Sequence, residues 1–216
     1  MHLDNSISFG NMIIMCSVGI IITGIILAAG KSERMGPVNK LLLEYNGQTI
    51  IEEVLAQMIK SSVDNIVIVT GYESNLIEET LMGQINETVS IIRNANYNKG
   101  RIESIKCALR FLSGKTDAAL FMVGDKPGVK SDLISKAINK FRKYNPSILT
   151  TQTPSGPGHP IIFSSRIFDE ILEFKGANLR DNLIARHKED VFELNDDALQ
   201  LDIDTEGDYQ KLLESF

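Results

Sequence analysis

Apolar runs of strand length alternate with segments of helical periodicity through the first 150 residues of the chain. Strands are predicted at residues 24–27, 65–71, 88–94 and 117–125, and the second of these reads NIVIVTG. Short segments that are apolar throughout are typical of strands buried on both faces of a parallel sheet. The alternation therefore predicts an α/β fold, with a single open, mostly parallel, Rossmann-like sheet flanked by helices.

The segments between the strands carry helix start signals. Thr49 precedes the periodic segment TIIEEVLAQMIKS, and Glu52 follows three residues later, which predicts a capping box. Ser131 and Thr205 are predicted to cap two later helices, because a Ser or Thr hydroxyl accepts a hydrogen bond from a free amide of the first turn. Helices that begin at these signals would flank the sheet.

Beyond residue 145 the strand signals become shorter and are mixed with loop signals. SILTTQT at residues 147–153 predicts a strand, PSGPGHP at 154–160 a loop rich in Pro and Gly, and IIFSS a short strand. Two helices near 166–173 and 178–187 precede two short strands, DVFEL and LQLDID. This order predicts a short mixed β region near the C-terminal half.

Residues 12–30 form an uncharged apolar run that has two interpretations. Its length suits a membrane span, but a buried central strand gives the same composition over a shorter stretch. The strand is favoured because β-branched Ile dominates the run and Gly interrupts it. The chain also starts without the Lys or Arg of a signal peptide. Residues 1–19 are expected to form a loosely ordered N-terminal extension ahead of one domain at 20–216.

Composition narrows the class of ligand. The 216-residue chain is 43% hydrophobic with a net charge of −6, which fits one globular domain and argues against nucleic acid as the main partner. Its cations are few and local, which suits a small anionic ligand. Cys16 and Cys107 are far apart without a CxxC spacing, so both are interpreted as reduced thiols of a cytoplasmic protein, with Cys107 in the core. No membrane partner is expected.

The segment GIILAAGKSERMG at residues 24–36 is close to a phosphate-binding P-loop but departs from it twice. The second half of the pattern is present at residues 30–32, but Ile25 stands where the first Gly is required. Pro37 follows too soon for the long helix that a P-loop opens. We therefore expect either a solvated basic loop or a loop that holds an anion by another geometry, with the cations Lys31, Arg34 and Lys40.

Asp125 lies in the sequence VGDKPG, at the end of the buried strand predicted for residues 117–125. Ligands of open parallel sheets bind beyond the carboxyl ends of the strands, so the loops at 28–40, 94–101 and 124–128 are candidates for the site. A carboxylate at such an end suits Mg²⁺, which is held by one or two carboxylates and by substrate phosphates. A simple turn is the alternative, since Gly-Asp-Lys-Pro favours one.

Other polar positions are open between a binding role and a structural one. His159 in GPGHP would form a wall of the substrate site or only a loop tip, and the absence of a second His or Cys nearby argues against zinc. Asp204 in DIDTEGDY would be a second metal carboxylate or part of a helix N-terminus. Arg180 and His187 share one predicted helix face, which by itself indicates surface ion pairs.

The segment LAAGKSERMGPVNK at residues 27–40 resembles the signature of nucleotidyltransferases, above all that of the MobA-like NTP transferases. Further blocks follow in the order of that family: NKGRIESI, GDKP, GPGHPIIF, and LRDNLIARH with LDIDTEGDY. The resemblance covers residues 24–216. Gly-His-Pro and the ending DIDT are similar to the molybdenum cofactor cytidylyltransferase branch, whereas the guanylyl branch tends to have a Gly pair in place of Ala29 and Gly30.

The resemblance implies a fold of the nucleotide-diphospho-sugar transferase type and a Mg²⁺-dependent reaction. In that reaction CMP passes from CTP to the terminal phosphate of molybdopterin or the molybdenum cofactor, and pyrophosphate is released. A molybdoenzyme or its chaperone is an implied partner. The resemblance implies catalytic roles for Arg34, Lys40 and Asp125, and metal binding by Asp125 and Asp204. It implies acceptor binding by Gly158, His159, Pro160 and Arg180. The implied nucleotide-binding residues are Leu27, Ala28, Ala29, Gly30, Ser32, Arg34, Lys40, Gly71, Gly100 and Ser104.

The chain also departs from the pattern of that branch. The segment at residues 100–104, GRIES, stands where Gly-Met and small serines are common, and Glu103 would either lie near the phosphates or point away. Lys126 stands where Gln is common, and no acidic residue directly follows Gly176. These departures concern the acceptor more than the fold. The alternatives are a nucleotidyltransferase for a sugar or polyol phosphate, and a non-catalytic nucleotide-binding protein that delivers a cofactor.

Overall fold

The centre of the computed structural model is a seven-stranded sheet, and the structure describes residues 19–32, 35, 38–197, 203 and 205–214. The strands in chain order are β1 (Ile22–Ala28), β2 (Glu44–Tyr45), β3 (Gln48–Thr49), β4 (Asn65–Thr70), β5 (Val89–Arg93), β6 (Ala118–Val123), β7 (Ile148–Thr153), β8 (Gly156–Ser164) and β9 (Val191–Asn195). In the sheet they lie in the order β5-β4-β1-β6-β8-β7-β9, and β2 and β3 form a separate pair.

All strands of the described sheet except β8 run in the same direction. β4 and β6 flank β1 in parallel, β5 is parallel to β4, and β9 is parallel to β7. β8 is antiparallel to both of its neighbours, β6 and β7. The predicted α/β fold with a mostly parallel sheet and a mixed C-terminal region is confirmed. The carboxyl ends of β1, β4 and β6 consequently meet at one edge.

Helices cover both faces of this sheet. Successive side chains of a strand point to opposite faces, so Ile26 and Leu120 lie in one apolar cluster while Ile25 and Phe121 lie in the other. The first cluster packs on α1, α2 and α4, and the second on α3, α5 and α6. The helices are α1 (Ile50–Ile59), α2 (Ser74–Leu81), α3 (Arg101–Leu112), α4 (Ser131–Tyr144), α5 (Phe168–Glu173), α6 (Leu179–Arg186) and α7 (Glu206–Glu214).

The predicted helix caps are confirmed at α1 and α7 and wrong at α4. At α1, Thr49 and Glu52 form the complete capping box. At α7, the Thr205 hydroxyl accepts a hydrogen bond of 3.2 Å from the amide three residues later. At α4, however, Ser131 is the first helical residue, and its amide donates to Oε1 of Gln57 in α1 at 2.9 Å. A tertiary contact therefore takes the place of the predicted local cap.

The predicted loop at residues 154–160 is wrong, because most of it belongs to β8. The strand begins at Gly156, whose φ of +110° turns the chain, and it pairs with β7 from Thr153 opposite Gly156 onward. In the first part of the strand, Gly156, Pro157 and Gly158 pair with β7, and pairing with β6 begins at Ile161. Pro is tolerated in a strand that has one open side. Cross-strand pairing therefore outweighs the local preference for a turn.

The apolar run near the N-terminus becomes β1, which confirms the strand interpretation. Within the described ranges, no helix is long and apolar enough to cross a membrane. The first 18 residues of the predicted extension lie outside the described residues, and so does the strand predicted for LQLDID except Ile203. Ile203 is buried in a small cluster with Tyr45, Ile50 and Leu212, so the chain ahead of α7 packs beside the start of α1.

Candidate active site

The loops that follow β1, β5 and β6 enclose a cavity of about 430 Å³, which we name the Gly30 cavity. It brings together most of the residues for which sequence reasoning expected nucleotide binding, namely Leu27, Ala28, Ala29, Gly30, Ser32, Lys40, Gly100 and Ser104. Asp125 and Lys31 also line it. Two of the expected residues are not part of this wall as described. Gly71 lies behind it, and Arg34 lies outside the described residues.

Gly71 supports the wall of the Gly30 cavity from behind. A Cβ atom at this position would lie 2.5 Å from Cβ of Tyr97 and 2.9 Å from Cβ of Ala29, which is closer than real Cβ atoms approach. Tyr97 and Ala29 both line the cavity. Gly71 therefore allows these two residues to pack together, whereas sequence reasoning expected it to bind the nucleotide itself.

Sequence reasoning identified the loop at residues 94–101 but missed the individual side chains that line the cavity there. Tyr97, Asn98 and Arg101 all face the Gly30 cavity. No motif marks Tyr97 or Asn98, and the available signal was only their position after a buried strand. Arg101 was noted as a departure from the branch pattern, without a predicted role. Glu103 does not line the Gly30 cavity, nor the second cavity described below, so it does not add negative charge to either wall.

A short 3-10 turn holds Lys40 in place. The side-chain oxygen of Asn39 accepts a hydrogen bond from the amide of Leu41 at 3.1 Å, and the Asn39 carbonyl accepts one from Leu42 at 3.0 Å. Leu41 is 4% exposed and belongs to the cluster that packs on α1. Because the residues on both sides are tied to the core, the backbone of Lys40 is fixed and its side chain points toward the end of β6.

Lys40 and Asp125 form an ion pair across the floor of the cavity. Nζ of Lys40 lies 2.5 Å from Oδ2 of Asp125, and the two side chains are 13% and 18% exposed. Oδ1 of Asp125 is buried and has no hydrogen-bond partner among the residues that the structure describes. A buried acceptor without a partner costs about 1–3 kcal/mol, so a ligand that uses this oxygen recovers stability. Asp125 is therefore prepared to accept a cation or a donor.

The start of α3 supplies backbone amides to the same cavity. Gly100 precedes the helix with a φ of +106°, and no side chain caps the helix here. Free amides and the helix dipole make such a terminus favourable for an anion. Ser104 in the first turn is 4% exposed, and its hydroxyl accepts a hydrogen bond of 3.0 Å from the side-chain amide of Asn94. That contact fixes the helix to the end of β5.

A second cavity of about 430 Å³, which we name the His159 cavity, adjoins the first. The two cavities share four lining residues: Leu27, Arg101, Val123 and Asp125. Three of the residues expected to bind the acceptor line the His159 cavity, namely Gly158, His159 and Arg180. Pro160 does not line it; its carbonyl accepts a hydrogen bond of 2.7 Å from the Thr151 hydroxyl. Pro160 therefore fixes the strand rather than forming the wall.

His159 is neutral at physiological pH. Its pKa is lowered to about 4, and burial is the largest cause. The nearby cations Lys126 and Arg101 contribute to the lowering, whereas the Phe121 carbonyl and the Asp125 carboxylate oppose it. Nδ1 of His159 lies 3.2 Å from that carbonyl oxygen. A carbonyl can only accept a hydrogen bond, so Nδ1 carries the proton and Nε2 is an acceptor. The loop tip expected at this position is instead part of β8, with the ring directed into the protein.

Arg180 and His187 do not share a surface, which corrects the predicted common ion-pair face. His187 follows the last residue of α6, and its Nε2 lies 2.7 Å from Oε2 of Glu170. Arg186 contacts the same Glu170 at 2.7 Å. Arg180 lies at the other end of α6, is half-buried and lines the His159 cavity. The surface ion-pair interpretation therefore applies to His187, and Arg180 belongs to the site.

The charges of the site fit a divalent metal only together with a ligand. Within the described ranges, no group of three His, Cys, Asp or Glu side chains is placed to hold a metal. Asp125, with its orphan oxygen, fits an ion that takes its other ligands from phosphate and water. Asp204 lies outside the described residues.

Cys107, expected in the core, is only half-buried on α3, and burial raises the pKa of its thiol.

Comparisons with known proteins agree with this geometry. A sequence profile of the MobA-like NTP transferase domain matches residues 24–191. The chain is also 29% identical over 186 residues to the Molybdenum cofactor cytidylyltransferase of Escherichia coli K12, an alignment that covers 86% of this chain and 92% of that protein. The profile match over residues 24–191 includes every described residue that lines either cavity.

Solved structures show the same architecture. Rv0371c from Mycobacterium tuberculosis H37Rv superimposes with a TM-score of 0.77 at 27% identity, over 91% of this chain and 99% of its own. The complex of Rv0371c with manganese superimposes with a TM-score of 0.74 at 27% identity, over 91% of this chain and 100% of its own. A protein similar to this chain has therefore been solved in complex with manganese.

Proposed function

The chain belongs to the MobA-like NTP transferase family, and we propose that it transfers CMP from CTP to the terminal phosphate of molybdopterin or the molybdenum cofactor, with release of pyrophosphate. One observation carries this proposal: the Gly30 and His159 cavities meet at Arg101 and Asp125. A nucleotide in the first cavity and an acceptor in the second would react at that junction. The E. coli relative, whose name states this activity, supports the choice of base and acceptor.

The Gly30 cavity would hold CTP mainly through backbone groups. Residues 28–32 and the start of α3 line the cavity, and their backbone amides would bind phosphate oxygens. Gly30 and Gly100 leave open space where a side chain would stand, which lets phosphates approach the backbone. Lys40 and Arg34 would neutralise the triphosphate as charge grows on the leaving pyrophosphate.

Asp125 would hold Mg²⁺ through Oδ1, with Asp204 as a second carboxylate. When bound, the ion would supply positive charge that stabilises the α-phosphate in the transition state. The contact with Lys40 would hold the Asp125 carboxylate in position before the ligands arrive. Arg101, on the junction, is placed to hold the attacking phosphate of the acceptor near the α-phosphorus.

The His159 cavity would hold the pterin side of the acceptor. Gly158, His159 and Arg180 would contact it, while Pro160 keeps β8 in its position. The attacking phosphate is already an anion, so the transfer needs no general base. The neutral state of His159 agrees with this, because a ring with a pKa of about 4 offers a hydrogen-bond acceptor and carries no charge at neutral pH. Rate enhancement would come from positioning and from charge stabilisation.

The first test is pyrophosphate release by the full chain with Mg²⁺. CTP, GTP, ATP and UTP are each supplied with and without molybdopterin or the molybdenum cofactor. We expect release with CTP only when the pterin is present, together with a CMP-bearing product. Release with sugar or polyol phosphates instead would move the acceptor to another class. Binding of CTP without any transfer would leave a nucleotide-binding protein that delivers a cofactor.

Three further points remain predictions alongside this proposal. They are the treatment of residues 20–216 as one transferase domain, a cytoplasmic location, and delivery of the product to a molybdoenzyme or its chaperone. A pull-down of the loaded protein with candidate molybdoenzymes would test the last of these.

A further inference from the structure

Lys106 is a buried cation in the middle of α3. The residue is 8% exposed, and its Nζ donates a hydrogen bond of 2.8 Å to the main-chain carbonyl of Phe174. Phe174 directly follows the last residue of α5, where main-chain carbonyls lack helical partners. A lysine is rarely buried without a partner, so this contact accounts for the position of the ammonium group.

The contact joins the two halves of the proposed active site at a distance from their junction. The start of α3 lines the Gly30 cavity. Phe174 begins the segment 174–181, which we name the acceptor segment, and residues 177–181 of this segment line the His159 cavity. Lys106 itself lines neither cavity. Any effect of Lys106 on the His159 cavity is therefore indirect, through the position of the acceptor segment.

The acceptor segment has little burial of its own before α6 begins. Residues 175–178 are exposed, and they connect two short helices, α5 with six residues and α6 with eight. Gly176 lies against the ring of Phe174, since an added Cβ would be 3.1 Å from Cζ of that ring. The segment is thus folded around Phe174, and the place of Phe174 sets where residues 177–181 enter the cavity wall.

The apolar surroundings of Lys106 would suit an uncharged side chain better. Its neighbours Ile105 and Cys107, like Phe174, belong to the apolar cluster on this face of the sheet. Removing an ammonium group from water has a free-energy cost that a Met side chain of similar length does not have. What the ammonium adds is direction, because a hydrogen bond fixes the carbonyl in distance and angle, whereas an apolar contact allows sliding.

We propose that Lys106 is a positioning residue, which holds the acceptor segment at a fixed distance from α3 so that a bound acceptor presents its phosphate at the junction of the two cavities. The inference rests on the proposed function for the identity of the two ligands. Transfer between bound substrates depends steeply on their relative position, and a displacement of about 1 Å can cost roughly 10²-fold in rate. Loss of one tie between the two walls is therefore expected to impair turnover.

Lys106→Met removes the donor and keeps the length and the apolar stem of the side chain. We expect kcat/KM for molybdopterin in CMP transfer to fall by about 10- to 100-fold, with a raised KM for the acceptor, while CTP affinity and the melting temperature remain close to wild type. The affinity for 6-hydroxymethylpterin, followed by the fluorescence of its ring, should fall in parallel. Lys106→Arg keeps a donor and should recover most of this affinity.

Hydrogen exchange measures the tie without any substrate. In the unliganded Lys106→Met protein, the amides of residues 174–181 should exchange at least about 10-fold faster than in the wild type, whereas those of residues 98–105 should not change. Arg166→Met is the matched control, because Arg166 also donates to a main-chain carbonyl, that of Asn145 at 2.8 Å, and lines neither cavity. It should change neither the exchange of the acceptor segment nor the acceptor KM.

The outcomes separate this inference from the proposed function. If Lys106→Met leaves either the exchange of the acceptor segment or kcat/KM at the wild-type value, the inference is wrong and the function stands. Equal loss of CTP and pterin affinity, or a large drop in melting temperature that Lys106→Arg shares, would mean that Lys106 only supports α3, and overturns it as well. If the wild type transfers no CMP to molybdopterin, the proposed acceptor is wrong, and the exchange experiment alone still decides whether Lys106 holds the segment.

Discussion

The two cavities that meet at Asp125 are built in different ways. The Gly30 cavity is formed where parallel strands end, from the loop after β1, the loop after β5 and the start of α3. The His159 cavity lies beside the antiparallel strand β8, and its wall combines aromatic and aliphatic side chains with polar ones that include His159 and the half-buried Arg180. The two cavities have similar volumes but are formed by different elements of the fold.

This difference bears on how the proposed active site would bind a nucleotide and an acceptor side by side. Backbone amides bind phosphate oxygens whatever the base, so under the proposed function the Gly30 cavity would recognise a class of ligand by charge and shape. A wall of side chains can reject a ring that lacks one acceptor, so the His159 cavity is suited to select a particular molecule. Asp125 belongs to both, and its loss should affect the reaction without abolishing either binding event.

The largest effect is expected for Asp125→Asn. Removing the charge at the junction should lower CMP transfer by roughly 10³-fold, because the developing charge on the phosphates loses its main stabilisation. The affinity of the protein for 6-hydroxymethylpterin, which is expected to bind in the His159 cavity, should be nearly unchanged. Rates and pterin affinities measured side by side check this. Asp132→Asn, an exposed carboxylate on α4, is the control and should behave as wild type. Transfer at wild-type rate by Asp125→Asn would remove it as a metal ligand.

Lys40→Met should impair ligand binding in the Gly30 cavity and leave binding in the His159 cavity unchanged. We expect transfer to fall by roughly 10²-fold and CTP affinity to weaken, since a fixed cation next to the triphosphate is lost. The affinity for 6-hydroxymethylpterin should equal that of the wild type, because Lys40 does not line the His159 cavity. Calorimetric titration of both ligands tests the contrast, with Lys136→Met on the exposed side of α4 as control. Equal loss of both affinities would contradict the independence of the two cavities.

Gly71→Ala should weaken the Gly30 cavity from behind. The new methyl group would lie 2.5 Å from Cβ of Tyr97, so Tyr97 must move and the strand ends must shift. We expect the free energy of unfolding in urea to fall by about 1–3 kcal/mol, with reduced CTP affinity. Gly83→Ala is the matched control, since no atom lies within 4 Å of its added Cβ. Similar stability for both variants would show that the close packing at Gly71 is unimportant.

His159→Gln should change the pH dependence of stability. The pKa of His159 is about 4 in the folded protein, below its ordinary value of 6.5, so between these values the unfolded chain binds a proton that the folded chain does not. The free energy of unfolding therefore falls as the pH drops from 6.5 to 4, by up to about 3 kcal/mol from this residue, and this contribution is absent above pH 6.5. Urea unfolding at several pH values should give a shallower slope for the variant. A parallel slope would mean that the ring is solvated.

The parallel half of the sheet could be predicted well from local pattern. β1, β4 and β6 are apolar at nearly every position, and a strand buried on both faces has no other composition available to it. The position of Asp125 directly after such a strand was therefore visible along with its loop. The mixed half was harder, because Pro157, Gly158 and Pro160 have the local preferences of a turn and form a strand only through pairing with β7.

Within the site, the sequence marked the residues that carry charge and missed those that shape the space. Lys40 and Asp125 stand out because cations and carboxylates in loops after strands suggest ligands, whereas Arg180 was linked to the acceptor only by the family resemblance. Tyr97 lines the Gly30 cavity without any motif, since an aromatic residue in a loop has many possible environments. The role of Gly71 was likewise hidden, because its importance comes from the approach of Tyr97, which lies far along the chain.

The sequence by itself determined the α/β fold, the order of its elements and the family signature, because alternating apolar runs and a Gly-rich loop are local properties. The tertiary structure alone decided that Lys40 contacts Asp125, that the two cavities meet there, and that Arg180 turns inward while His187 stays on the surface. These are relations between distant segments. They depend on the packing of helices and strands, and packing distances are not written in the local pattern of any one segment.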